Sequence, residues 1–231
     1  LGGKSIPTKK YPVIMRHDAS ASLLATFTPI FSAENTQKDQ SLLKGKVGQE
    51  IASSAYTLVD DPYHPASLWG SNFDGEGVAT KKQTIVANGK LKTLFHNRKT
   101  ARKDQVETTG HAKKSSYKGT LSIGPINLYI EPGKKSKEEL ISSIQDGVLI
   151  TSLAGLHSGV NPISGDFSVA ATGFHIQDGK IASPVKQMTV AGNYFEYLKQ
   201  IKEVGTDLEF VPGGYGSPSL LVKELSVTVD D

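Results

Sequence analysis

The stretch that decides the fold is residues 155–193, GLHSGVNPISGDFSVAATGFHIQDGKIASPVKQMTVAGN. Residues 167–176 predict a long strand, because β-branched and aromatic residues alternate with small or polar ones there. Asp178-Gly179 then predicts a two-residue turn, because both residues tolerate the positive φ that a tight hairpin needs. The chain returns as a second strand over 181–185. A hairpin therefore lies at the centre of the predicted fold.

The first part of this stretch is a loop rich in turn residues. Three glycines and a proline interrupt residues 155–166, and such loops present their polar side chains outward. The polar side chains are His157, Asn161, Ser164 and Asp166. We expect these four residues to face a substrate or an interface.

Two catalytic interpretations of the loop are weaker. His157 has a side chain suited to a general base, and with Asp166 it could serve an enzyme of unstated type. A lone loop histidine more often orders its loop through hydrogen bonds. Ser164 lacks the Gly-x-Ser-x-Gly elbow of a serine nucleophile. We therefore predict no catalytic residue in this chain.

The composition indicates a globular protein. Of 231 residues, 37% are hydrophobic and 21% charged, with a net charge of +3, which excludes the disordered and fibrous classes. There is no cysteine, so disulfides, thiolate zinc sites and cysteine nucleophiles are excluded. The sequence shows neither a membrane span nor a signal peptide, which predicts a soluble, cytoplasmic protein. Its start, Leu-Gly-Gly, predicts a fragment of a longer protein.

Capping residues followed by apolar residues at helical spacing predict three helices. They run from Asp18 or Ser20 toward Phe31, from Ser136 to about Asp146, and from Asn193 up to Gly205. Pro29 is expected to kink or end the first helix. Gly147 is expected to follow the second as its C′ residue.

Apolar alternation bounded by turn residues predicts the remaining strands. They are residues 11–15, 56–59, 83–87, 90–95, 126–130, 148–153, 188–191, 208–211 and 220–229. Asn88-Gly89 predicts a type I′ hairpin between the third and fourth of these. Residues 213–216 are expected to be flexible. Hairpins combined with two strand–helix–strand passages predict an α+β fold with mainly antiparallel β-sheets and a few helices.

Residues 81–118 form a basic segment, with eleven Lys or Arg against Asp104 and Glu107. Aromatic side chains, which would stack on bases, are sparse: only Phe95 and Tyr117 occur. The favoured interpretation is a solvated or mobile surface loop. The alternative is a DNA- or gyrase-associated binding surface.

Metal and nucleotide sites have no support in the sequence. The six histidines are scattered, without the pairing at two or four residues that ligands on one strand or helix would show. Asp60, Asp61, Asp74 and Glu76 could form a carboxylate cluster, but their spacing matches no calcium loop and turn-forming aspartates are commoner. No phosphate-binding glycine motif opens a helix. We predict no metal and no cofactor.

Three stretches together resemble the C-terminal region of the TldD/PmbA family, the modulators of DNA gyrase that form a peptidase system. They are DDP at 60–62 with FDGEG at 73–77, GLHSGVNPISGDFS at 155–168, and DLEF at 207–210 with SPS at 217–219. The resemblance covers nearly the whole chain. It implies that residues 1–231 are one C-terminal domain, and that the family's N-terminal α/β domain is absent from this chain.

The resemblance also implies what this chain does. The TldD-type subunit carries His-Glu-x-x-x-His on a helix, with a cysteine further along as another zinc ligand. Here the matching residues are His17, Asp18 and Ser22, so only the first histidine remains. That departure resembles the PmbA (TldE)-type subunit. It implies a non-zinc subunit, inactive by itself, that pairs with a zinc-bearing TldD-like subunit or with itself, and acts on unfolded or extended peptides. Nucleic acid and membranes are not expected partners.

Overall fold

The structure is a computed structural model that describes residues 2–68 and 70–230. Its helices are α1 (His17–Phe27), α2 (Ala33–Gln37), α3 (Arg98–Asp104), α4 (Lys137–Ser142) and α5 (Tyr194–Lys199), with a 3₁₀ turn at Thr28–Phe31. Its strands are β1 (Lys9–Met15), β2 (Leu58–Asp60), β3 (Gln83–Ala87), β4 (Lys90–Leu91), β5 (Ala112–Lys113), β6 (Ser122–Ile123), β7 (Leu128–Ile130), β8 (Asp146–Ala154), β9 (Asp166–Gln177), β10 (Lys180–Pro184), β11 (Met188–Asn193), β12 (Ile201–Val204), β13 (Glu209–Val211), β14 (Tyr215–Ser217) and β15 (Leu220–Val229). The predicted α+β class with mainly antiparallel sheets is confirmed.

The larger sheet closes on itself. Its order is β1-β8-β9-β11-β15, and β15 also pairs with β1, so five strands form a ring. β10 pairs with β9, and β12 continues the edge of β15 beyond β11. All of these pairings are antiparallel except β1 with β8. Closure leaves the five ring strands without an open edge along their paired lengths.

One part of the ring is covered on both faces. In β1, Val13 and Met15 belong to the main core, whereas Ile14 lies in a separate apolar cluster with Leu140 and Ile141 of α4. Alternate side chains of a strand point to opposite faces, so α4 covers the outside of the ring at this point. The continuous apolar run of β1 is thereby explained.

A second sheet lies against the other side of α1. Its order is β13-β14-β7-β2-β3-β4, while β5 and β6 form a small separate hairpin. Helix α1 contacts β8 of the ring and β13 and β14 of the second sheet. Its residues Leu23, Leu24 and Phe27 are almost completely buried. The helix therefore joins the two sheets through one core.

The predicted turns are confirmed. Asn88 and Gly89 have φ values of 45° and 84°, and Asp178 and Gly179 have 50° and 73°. Each pair joins two antiparallel strands, as the two-residue hairpin rule requires.

Helix boundaries were predicted less well. Helix α1 begins after Arg16, not after Asp18 or Ser20, and the 3₁₀ turn follows it at Pro29. Ser136 caps α4 as predicted, with its hydroxyl accepting from the Glu139 amide at 3.1 Å. The helix nevertheless ends at Ser142, and from Asp146 onward the chain pairs with β9 as strand β8.

Strand pairing also shortens α5. Asn193 caps it as predicted, but the helix ends at Lys199 and Ile201–Val204 forms β12 against β15. Residues 213–216 were predicted to be flexible, yet Tyr215–Ser217 is strand β14, between β13 and β7. Strand β2 runs over Leu58–Asp60, so it begins two residues later and ends one residue later than predicted.

The basic segment is not one loop. It contains the hairpin strands β3 and β4. These are followed by α3, whose capping box joins Asn97 and Thr100. In the described ranges, no helix has the length and hydropathy needed to cross a membrane.

Candidate functional site

The loop of residues 155–166 connects β8 to β9 at one end of the ring. Asn161 Oδ1 accepts hydrogen bonds from the amides of Ile163 at 3.0 Å and Ser164 at 3.2 Å. Ser164 Oγ accepts from the Asp166 amide at 3.2 Å. Asn161 and Ser164 therefore hold the turns of the loop, a common task for short polar side chains.

Asn193 ties this loop to α5. Its side-chain amide donates to the Ser164 carbonyl oxygen at 2.8 Å and to Asp166 Oδ1 at 3.0 Å. Its Oδ1 accepts from the amides of Phe195 and Glu196 and so caps the helix. One side chain thus fixes the loop and the helix start together. The sequence identified Asn193 as a cap but not as the loop's anchor.

His157 and Asp166 do not form a catalytic pair. His157 is exposed, and within the part of the chain that the structure describes it makes no hydrogen bond. It therefore does not order the loop either. Asp166 is exposed and is bonded to Asn193. Of the four predicted side chains, the structure joins Asn161, Ser164 and Asp166 in one network and leaves His157 outside it.

Replacing Asn193 by alanine is expected to lower the free energy of unfolding by about 1–2 kcal/mol, since a helix cap is lost together with the loop's anchor. Amide hydrogen exchange over residues 161–166 should become faster. Urea unfolding and exchange mass spectrometry measure both effects. Asn35→Ala is the control, because Asn35 is linked to Pro29 by a single side-chain hydrogen bond. Unchanged exchange in the loop would contradict the anchoring role.

The first residue of α1 makes a second polar cluster. His17 Nδ1 lies 3.4 Å from Asp207 Oδ2, and His17 Nε2 lies 3.0 Å from Glu209 Oε2. Asp207 also accepts from the Ser219 amide at 2.8 Å and from the Ser219 hydroxyl at 2.6 Å. Both ring nitrogens of His17 therefore face carboxylates, and Ser219 fixes one of these.

The pKa of Asp207 is set by opposing effects. Burial acts to raise it, but the hydrogen bonds from Ser219 and His17 outweigh burial and bring the pKa below its ordinary value. A carboxyl group with a lowered pKa contributes stability above a pH of about 4 and loses it as the pH falls through the lowered pKa. The Asp207 carboxylate is therefore charged at neutral pH.

The neighbouring residues Arg16, Asp18 and Ser22 also form hydrogen bonds. Arg16 Nε and Nη2 donate to the two carboxylate oxygens of Asp18 at 2.8 and 2.5 Å. Burial acts to raise the pKa of Asp18, but Arg16 lowers it on balance. Ser22 Oγ donates to the Asp18 carbonyl oxygen at 2.9 Å. The side chains of Arg16, Asp18 and Ser22 at the start of α1 are thus bonded to one another or to the helix backbone.

The sequence and the fold match known proteins. Residues 8–229 match the model of the PmbA/TldA metallopeptidase C-terminal domain. The chain belongs to this family. The predicted resemblance to TldD/PmbA proteins is thereby confirmed, and it extends over nearly the whole chain.

Several PmbA/TldD relatives are similar to this chain over most or all of its length. A candidate modulator of a DNA gyrase from Thermotoga maritima is 44% identical, with a TM-score of 0.92 over 99% of this chain and 52% of that one. TldE from Thermococcus kodakarensis is 33% identical, with a TM-score of 0.90 over 98% and 52%. Metalloprotease PmbA of Escherichia coli O157:H7 is 29% identical over 90% of this chain and 44% of its own. The chain spans about half the length of these relatives.

The PmbA/TldD family name implies a metal, so the cluster at α1 was tested as a zinc site. The two nitrogens of His17 point to different carboxylates, and Asp18 is paired with Arg16. Ser22, which stands where the motif has its second histidine, offers only a hydroxyl. Among residues 2–68 and 70–230 no group of three His, Cys, Asp or Glu side chains is placed to hold a metal ion. These donors do not fit a catalytic zinc, which needs three converging protein ligands.

A buried pair was missed by sequence reasoning. Asp60, interpreted as a turn residue, has a side chain 1% exposed that lies 2.7 Å from Nε2 of the equally buried His111. Asp60 Oδ1 also accepts from the amides of Ile126 and Asn127, at 3.1 and 2.8 Å. The carboxylates proposed as a cluster do not converge, because Asp74 holds its own turn and Glu76 accepts from the Arg98 amide. The only sequence signal was the DDP stretch at 60–62.

Proposed function

We propose that this chain is the C-terminal domain of a PmbA (TldE)-type protein and acts as the non-zinc subunit of a peptidase assembly on unfolded or extended peptides. The partner is a zinc-bearing TldD-like subunit or, in its absence, a second copy. Membership of a metallopeptidase family supports the peptidase part of the proposal. We also propose that the protein works in the cytoplasm.

The observation that carries the proposal is the environment of His17. In a family defined as metallopeptidases, the one remaining histidine of the motif lies 3.4 Å from Asp207 Oδ2 and 3.0 Å from Glu209 Oε2. Zinc would have to compete with these carboxylates for the imidazole, with no second histidine or cysteine to help it. The residues at α1 are thus suited to structural support.

The loop anchored by Asn193 is the proposed contact surface. Asn161, Ser164 and Asp166 form a fixed platform, and exposed His157 projects beside it. Fixed loops at the end of a ring are suited to shape a channel shared with a partner subunit. The proposal therefore assigns these four residues to a channel wall or an interface.

The test is an assay of the purified chain alone and mixed with a zinc-bearing TldD-type subunit, on an unfolded peptide. The chain alone is expected to contain well under one equivalent of zinc by metal analysis and to cleave nothing. The mixture is expected to cleave, and size-exclusion chromatography with light scattering to show a heterodimer. The TldD-type subunit alone is the control. Zinc-dependent cleavage by the chain alone would refute the proposal.

One observation favours the second candidate, a nucleic-acid-binding function. Helix α3 exposes Arg98, Lys99, Arg102 and Lys103 on its solvent side. Such a surface attracts phosphates, with an affinity that falls steeply as salt rises. Salt-dependent retention on DNA, lost when these four residues are neutralised together with Lys113, Lys114 and Lys118 of the same basic segment, would favour it. Absence of retention at all salt concentrations leaves the peptidase proposal standing.

A further inference from the structure

A cleft of about 690 Å³ opens between residues 70–75 and the β5–β6 hairpin. Its wall includes five glycines: Gly70, Gly75, Gly110, Gly124 and Gly213. At four of them, all but Gly213, a Cβ would already lie within 3.3 Å of another atom of this chain, so these glycines allow the wall itself to pack closely. The volume lies within the range of about 300–1,000 Å³ that is usual for ligand sites. The cleft therefore has room for a segment of extended peptide.

Apolar side chains stand exposed beside the cleft. Phe73 lines it and is 60% exposed, and Leu121 on the facing hairpin is 41% exposed. The two sides are close, because a Cβ on Gly75 would lie 3.3 Å from Leu121 Cδ2. Two apolar side chains at one opening indicate a place where another apolar side chain is covered.

The charge of the cleft is positive. Lys113 and Lys114 line it, and the side-chain amine of neither makes a hydrogen bond or an ion pair within the described residues. The lining carboxylate, Asp74, is already saturated: its oxygens accept from the amides of Glu76 and Val78 at 2.9 Å each and of Ala112 at 3.1 Å. Among the described lining residues, the cleft thus offers two lysine amines that lack a hydrogen-bonded partner and one carboxylate that already has three.

The environment of Lys113 favours an anionic partner. Its side chain lies over Gly124, with Cδ 3.1 Å from where a Cβ would be. Burial of its amine lowers the pKa of Lys113, although Asp60 acts in the opposite direction and the residue as a whole is exposed to solvent. An amine that has already lost some of its hydration gives up less when it pairs with a carboxylate.

We propose that this cleft binds acidic side chains of an extended peptide, with Lys113 and Lys114 pairing carboxylates and Phe73 contacting an apolar side chain between them. The inference rests on the proposed function and names the substrate class that this subunit selects. Acidic side chains are favoured over a free C-terminus because two lysines line the cleft and a terminus supplies a single carboxylate.

The test measures fluorescence anisotropy of labelled, amidated peptides with the 231-residue chain. One peptide alternates glutamate with leucine, and matched peptides carry glutamine in place of glutamate or serine in place of leucine. We expect the glutamine peptide, and the Lys113→Gln variant with the glutamate peptide, to bind about tenfold more weakly. Lys118→Gln is the control, because Lys118 lies on the same hairpin outside the cleft lining. It should change binding less than about twofold.

A second variant, Phe73→Ala, tests the apolar contact: it should weaken the leucine peptide and leave the serine peptide unchanged. Circular dichroism confirms that each variant folds. Equal binding of glutamate and glutamine peptides, equal effects of Lys113→Gln and Lys118→Gln, or binding that needs a free C-terminal carboxylate would each overturn the inference. No binding would also overturn it, while cleavage by the mixed subunits would still support the proposed function.

Discussion

Replacing Asp60 by alanine is expected to lower the free energy of unfolding by about 3–5 kcal/mol, because three buried groups lose their acceptor and each unsatisfied buried group costs about 1–3 kcal/mol. The carboxylate holds His111 Nε2 at 2.7 Å and the amides of Ile126 and Asn127. Truncation leaves all three groups buried without this acceptor, and an unsatisfied buried donor loses its full solvation. Urea unfolding measures the loss.

The adjacent residue supplies a control for Asp60. Asp61 accepts one local hydrogen bond, from the Tyr63 amide at 2.9 Å, and its nearest cation is Lys82 at 4.0 Å. Asp61→Ala should cost about 1 kcal/mol or less. The double variant of Asp60 and His111 should cost less than the sum of the two single alanine variants, since they share one contact. A loss below about 1 kcal/mol for Asp60→Ala would contradict the structural role.

Replacing Gly173 by alanine is expected to destabilise the protein by about 3 kcal/mol or more, because a methyl group cannot be accommodated inside the ring. A Cβ there would overlap the Leu149 carbonyl oxygen and lie 3.1 Å from Ile150 Cα. Both atoms belong to the backbone of β8, which pairs with β9 at this point. Relief requires moving a strand whose other edge is bound to β1.

Gly124→Ala is the matched control for Gly173. The new Cβ would meet Lys113 Cδ at 3.1 Å, and that side chain can turn away. Its effect on unfolding should stay within about 0.5 kcal/mol. Thermal and urea unfolding of both variants provide the comparison. Similar stabilities for the two variants would contradict the prediction, because they would show that β8 and β9 can move apart to accommodate a methyl group despite close packing.

Features that depend on neighbouring residues were predictable from the sequence. Asn88-Gly89 and Asp178-Gly179 specify their turns through their own backbone preferences, and Ser136 caps a helix through the amide three residues on. The predicted helix ends were wrong because they depend on contacts with residues distant in the sequence. Residues after Ser142 had helical spacing, but from Asp146 onward the chain pairs with β9, and this long-range pairing prevails over the local preference for a helix.

In the candidate site too, local features were predictable from the sequence and long-range contacts were not. The polar loop residues were evident from their turn chemistry, and the missing zinc motif could be read at His17. The partners could not be read, because Asp207 is 190 residues from His17 and His111 is 51 residues from Asp60. No pattern of spacing encodes contacts of that length without knowledge of the fold. Asp60 in particular resembles a turn former by its Asp-Asp-Pro sequence alone.

Closure of the strand ring by β1 and β15 has a consequence for how the chain acquires its structure. The hydrogen bond from the Val229 amide to Thr8 Oγ1 joins residues 221 positions apart. During synthesis, β1 emerges early and must wait for β15 before its antiparallel neighbour exists. Folding of such long-range pairings is slow, since a large loop must be closed first. Until β15 leaves the ribosome, β1 exposes unpaired backbone groups. We expect chaperones to bind the incomplete chain during this time.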